Sequence, residues 1–240
     1  MTNHYKLVQI NDFTYNLKIN GDLSITNQLC YSIQKILKSS HFDKQTNTII
    51  FSAENVIPFQ TFLLTLGTDN GPIKVPQNKL YEGLTQQNKV LSHATCIKLI
   101  DDLSKQILLL LKLGYGFYGF DNSDILTIDN TFIICSSQFL LPLDNESIIF
   151  TSPIKMPYFS NPELFKLTSL PSKIHYNCCY YSLGLLVVFS LLHIYLLVGN
   201  EIKSSKEIDI ILEPLYNTKM YWFLKRCLDD DINNRKLLLI

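Results

Sequence analysis

The sequence predicts an α+β protein with a sheet-rich part over residues 1–75 and a helical part over 76–240. Three observations lead there. β-forming residues alternate through the first fifty positions with a single helical interruption, while from Asn78 onward apolar residues recur at helical spacing. No repeat, low-complexity tract or flexible linker separates the two patterns, so they belong to one continuous two-lobed unit.

Residues 5–20, YKLVQINDFTYNLKIN, read as a hairpin, with Asn11-Asp12 and Asn20-Gly21 as turn signals. Ser24 is placed to cap a helix over 25–39, in which Leu29, Ile33, Ile36 and Leu37 share a face. The stretches NTIIFSAENVI and FQTFLLTLG are expected as strands, followed by a turn at TDNG and a short extended GPIKVP. A short helix is expected at NKLYEGLT. A long helix then runs to Gly114, with Ile97, Ile100, Leu103, Ile107 and Leu110 on one face. Two short strands around Asp129-Asn130 come next, then a loop to about Lys155. A very apolar helix is expected over 178–198 and an amphipathic one near MYWFLKRCLDDD.

Composition narrows the function classes. Hydrophobic residues make up 47% and charged ones 18%, which fits a chain with a substantial core. Twenty-one basic and twenty-one acidic residues give no global field to attract nucleic acid, so none is expected as a partner. The six cysteines show no CxxC spacing and read as reduced, buried thiols. His175, Cys178 and Cys179 are a candidate metal group without a fourth ligand at a recognisable spacing; neither a metal nor a cofactor is expected. The start, MTNHYKLVQINDF, lacks a signal core, and a cytoplasmic location is expected.

From Asn78 to the end, a series of segments in a fixed order resembles the large lobe of the protein kinase family. GFDNSDILTID is similar to the catalytic loop and strand "D-x-x-x-x-N-I-L", and FIICSSQF falls where the strand leading into Asp-Phe-Gly belongs. MPYFSNPELF resembles "Y-x-A-P-E-L", YYSLGLLVVFSLL the buried "W-S-L-G" helix, and LKRCLDDDINNRK the closing "C-L-x-x-D-P-x-x-R". The resemblance implies a bilobal kinase-like fold with a reduced N-terminal lobe.

It also implies where the chemistry would sit. In the family a loop aspartate takes the substrate hydroxyl's proton, and a second aspartate and an asparagine hold magnesium against the phosphates. With Ile125-Leu126 on the family's Ile-Leu, Gly119 stands at the base position, Asp124 at the metal-binding asparagine, and Ser136 at the Asp-Phe-Gly aspartate. The base is absent, and a neutral hydroxyl cannot supply the charge that magnesium phosphate requires. Lys6 and Lys18 are the candidates for a phosphate-pairing lysine, but the helix over 25–39 carries no acid to pair with either, and no glycine-rich loop precedes it. Cys179 replaces an aspartate that holds the catalytic loop. Glu163 and Arg235 occupy the places of the family's structural ion pair.

The expectation is a catalytically inactive kinase-like protein, a pseudokinase, acting through a protein partner as scaffold, regulator or decoy. The resemblance implies an active kinase or its substrate as that partner. The loop from about Leu140 to Lys155 and the helix of the small lobe are its candidate surfaces. Two alternatives stand beside this reading. The 21 uncharged residues 178–198 are long enough for a single membrane span. A rearranged active kinase could draw on Asp121, Asp124 and Asp129, which otherwise read as turn residues.

Overall fold

The computed structural model describes residues 4–65, 90–198 and 201–238. It is a mixed α+β architecture with antiparallel sheets. The predicted boundary at 75/76, the turn at 68–71, the extended 71–76 and the helix over 78–85 lie outside the described residues.

The first sheet has the strand order β1-β2-β4-β3, from β1 (Tyr5–Asn11), β2 (Thr14–Ile19), β3 (Ser40–Asp43) and β4 (Thr48–Ser52), with every neighbour antiparallel. Alternation along β2 turns Tyr15, Leu17 and Ile19 inward. Helix α1 (Leu23–Ile36) covers that face with Leu29, Cys30 and Ile33. Its cap is Asp22, not Ser24: the Asp22 carboxylate accepts from the amides of Ser24 (2.9 Å) and Ile25 (3.2 Å).

Strand β5 (Val56–Pro58) leads into α2 (Phe59–Thr65), a helix where the sequence predicted a strand. The run FQTFLLT is too short for periodicity to separate the two states. Phe59 and Phe62, three apart, settle it by packing edge-on against the ring of Phe132 at 5.8 and 5.3 Å. Phe132 sits on β9 (Thr131–Ile134), which completes a sheet of order β5-β8-β9 after β6 (Tyr115–Phe117), β7 (Gly119–Phe120) and β8 (Ile125–Ile128). Asp129 and Asn130, both at positive φ, form the two-residue turn between β8 and β9.

Helix α3 (His93–Lys112) is the central support. Ser92 caps it at the Thr95 amide (3.1 Å), and Gly114 follows it at φ +82°. Two buried polar side chains on its inner face complete the hydrogen bonding of β9. Asp102 accepts from the Phe132 amide (2.9 Å), and Gln106 bonds both the amide (2.7 Å) and the carbonyl (2.9 Å) of Ile134. These side chains stand in for a neighbouring strand at three of the backbone groups along that edge.

The segment expected as a loop to Lys155 is largely sheet. β10 (Leu140–Asp144) and β11 (Ser147–Phe150) form a hairpin through Asn145 and Glu146, both at positive φ, within a sheet of order β13-β11-β10-β6. β12 (Phe159–Ser160) pairs with β7, α4 (Pro162–Phe165) follows it, and β13 spans Ser172–His175. Alternating Leu140, Ile148 and Phe150 enter the core, which binds this hairpin to the body of the protein.

Helix α5 (Cys178–Leu192) has every residue buried, as expected of a helix apolar on all sides. It stops six residues before the predicted end, at His193 in the left-handed conformation (φ +54°). Its fifteen residues rise about 22 Å, short of the roughly 30 Å of a bilayer core. No helix among the described residues is long and apolar enough to cross a membrane. Helix α6 (Ser205–Leu212), not foreseen in the sequence, and α7 (Lys219–Cys227) close the fold. All six cysteines are free and buried.

Candidate functional site

The segment between β6 and β8 faces the segment after β9, and the two are fastened at several points. The Asp124 carbonyl accepts from the Cys135 amide (2.7 Å), and its buried carboxylate accepts from the Asp121 amide (2.8 Å) and bonds the Ser136 hydroxyl. Burial raises the Asp124 carboxyl to about 6, against the pull of the Asp121 amide and Ser136. This carboxylate braces its own turn.

Asp121 is similarly occupied. One of its oxygens accepts from the Tyr158 amide (2.5 Å) and the other lies 3.6 Å from the Lys155 ammonium. Lys155 donates to Gln138 (3.1 Å) and stands 5.6 Å from the centre of the Phe139 ring. The structure therefore gathers Asp121, Asp124, Ser136, Gln138 and Lys155. Asp129 is elsewhere, at the far end of β8, a strand of four residues spanning roughly 13 Å. There its carboxylate holds the amides of Asn55 (2.8 Å) and Glu54 (3.0 Å).

Gly119 lies in β7, with Pro157 against it. A Cβ at 119 would fall 2.2 Å from Pro157 Cγ and 2.7 Å from Pro157 Cβ, closer than real Cβ contacts allow. The place that the resemblance assigns to the base has no room for any side chain while Pro157 stays. Thirty-eight residues separate the two, so the sequence carried no signal of this contact.

The first sheet reaches into the same region. The Tyr5 hydroxyl bonds the Cys135 thiol, and burial first, then that thiol, pushes the phenol well above its ordinary range. His4 bonds Gln138, and its imidazole is held low mainly by burial and then by the charge of Lys155. Ser137 donates to the Asn20 carbonyl (3.1 Å), and a Cβ on Gly21 would meet the Ser137 oxygen at 2.6 Å. Gly21, at φ +141°, permits this close seating. Lys6 and Lys18 are instead exposed, and they stand directly across from each other on β1 and β2. Both sit on the face opposite α1, because the neighbouring Leu17 and Ile19 take the inward positions.

Below the site, Asn161 caps α4 and donates to the Tyr118 carbonyl (2.7 Å), tying down the loop before β7. Cys179 makes no such tie; it is buried beside Cys178 and Cys227, and burial holds its thiol far above the ordinary value. Asn161 was not singled out in the sequence, though Asn before Pro-Glu is a recognisable cap signal. His175 accepts from the Asn177 amide at Nδ1 (3.2 Å), and the Cys178 thiol is directed at the Phe117 carbonyl (3.9 Å).

Glu163 and Arg235 are brought together as a two-pronged pair, with both N–H···O distances 2.8 Å. The guanidinium is fully buried, donates through Nε to the Asp229 carbonyl (2.8 Å) and lies over the Tyr181 ring at 4.8 Å. All three guanidinium nitrogens of Arg235 thus donate, and one of its faces lies over an aromatic ring.

No protein-family model matches this chain, and no curated protein is similar to it.

Proposed function

We propose that this chain is a kinase-like fold without phosphotransfer chemistry, which acts by binding another protein. The contact that carries this reading is Pro157 against Gly119, which excludes a carboxylate from the position of the base. Three further features support it. Ser136, a neutral group, occupies the position of the metal-holding aspartate, while Asp124 is committed to bracing its own loop and Asp121 to holding the segment of Lys155 and Tyr158. The Glu163–Arg235 pair retains the skeleton where the chemistry is missing.

The partner reading follows from what such a fold has left to offer, which is surface. An active kinase or a kinase substrate is the class of partner proposed. The hairpin of β10 and β11 presents Ile149 and Asp144 outward, and its base is anchored in the core.

Purified protein incubated with labelled ATP and magnesium or manganese tests the enzymatic half. The expected result is no labelled phosphate on the chain or on a generic substrate. Incorporation that disappears in Asp124→Ala would overturn the proposal. Affinity capture followed by mass spectrometry tests the other half, with a kinase or its substrate expected in the captured set.

A further inference from the structure

On the side of the β8–β9 turn, a cavity of about 440 Å³ is lined by Glu54, Asn55, Ile57, Phe62, Thr127, Asp129 and Asn130. None of these residues belongs to the site described above. The rim is exposed and carries two carboxylates, Glu54 and Asp129. Among the described residues neither has a basic partner within ion-pair distance. Asp129 spends one oxygen on the Asn55 and Glu54 amides, and its second is met only by a long contact from the Glu54 amide (3.3 Å).

The floor supplies an independent observation. Thr127 faces the cavity from β8, is 3% exposed, and its hydroxyl oxygen has no hydrogen-bond partner among the described residues. A buried hydroxyl left without a partner costs about 1–3 kcal/mol, so it is not a neutral filler. A valine would fill the same space without that cost.

The geometry points to a binding site for a hydrogen-bond-donating organic cation, a guanidinium or primary ammonium group, in this cavity. The rim carboxylates repel anions and attract a positive charge. Two carboxylates are few for a divalent ion held by protein oxygens, which takes six or more ligands. A guanidinium has several donors on one rigid plane, enough to reach the Thr127 hydroxyl and a rim carboxylate together. Its alkyl stem would lie along Ile57 and Phe62, the apolar walls. Such a group comes either from an arginine on a protein or from a free polyamine.

N-acetyl-arginine amide and spermidine, titrated separately into the full chain at low ionic strength and followed by NMR, test the site. Saturable shifts at Thr127, Asn55 and Asn130 are expected with at least one of them. Tighter binding of the arginine amide assigns a protein-borne arginine, and tighter binding of spermidine a free polyamine. Thr127→Val should weaken binding about 3- to 10-fold while leaving the melting temperature unchanged or raised. Glu54→Gln, at an exposed position, should weaken it about 2- to 5-fold, less at high salt. Absence of saturable binding by both probes, or affinities unchanged in both variants, would overturn the assignment.

Discussion

Two charged sites in this molecule show opposite uses of a carboxylate. At Glu163, the acid meets a fully buried guanidinium through two 2.8 Å bonds, and the pair joins α4 to the C-terminal segment. At Asp124, the acid turns back on the amide of Asp121, three residues before it, and on the Ser136 hydroxyl, and no basic group is buried against it. Burial without a buried counter-charge raises Asp124 to about 6; its nearest help is an amide and a hydroxyl. One carboxylate thus clamps distant segments through a buried cation, and the other braces its own turn without one.

The largest effect should come from breaking the clamp. Glu163→Ala leaves the Arg235 charge buried and unpaired, and should cost about 3–5 kcal/mol in chemical denaturation. A loss under about 1 kcal/mol would place this pair with ordinary surface bridges. Next is the crowded position near the brace. Gly119→Ala forces a Cβ into Pro157 and should cost about 3 kcal/mol. Adding Pro157→Ala should recover about 1–2 kcal/mol of that loss in a double-mutant cycle, and strict additivity would contradict the contact.

The brace itself should show in the pH dependence of stability. Its folded carboxyl titrates near 6 and its unfolded one near 3.8, so the folded state holds an extra proton between those values. The contribution is complete below about pH 4 and is lost as pH rises through about 6. Asp124→Asn should remove roughly 3 kcal/mol of this decline when the two proteins are compared across the window. Parallel pH profiles would show that Asp124 is not buried as described.

Much of this architecture was legible in the sequence, and the gaps have physical causes. The β1–β2 hairpin, α3 and the β8–β9 turn were marked by period and turn chemistry and fall where those signals place them, while α1 exists as expected but starts at Leu23 under Asp22 and ends at Ile36, short of the expected 39. Phe59 to Thr65 was misread because a seven-residue apolar run suits either state until its packing partner, Phe132, is known. The β10–β11 hairpin was read as a loop because Asn145-Glu146 is a weaker turn signal than Asn-Gly. Helix α5 ends early because His193 adopts a left-handed cap, which an unbroken apolar stretch gives no reason to expect. In the candidate site, the identities of Gly119, Asp124 and Ser136 could be read directly. What surrounds them could not, since Pro157, Tyr5 and Lys155 arrive from distant segments.

The proposed absence of phosphotransfer chemistry rests on the lack of a carboxylate at Gly119 and at Ser136, and nucleotide binding tests it most directly. The melting temperature should be unchanged by ATP with magnesium at concentrations that saturate an ordinary nucleotide site. A ligand at a hundred times its Kd adds about 2.7 kcal/mol, which is about 5–10 °C for a chain of this size. A rise of that order, dependent on magnesium and lost in Asp124→Ala, would contradict the account.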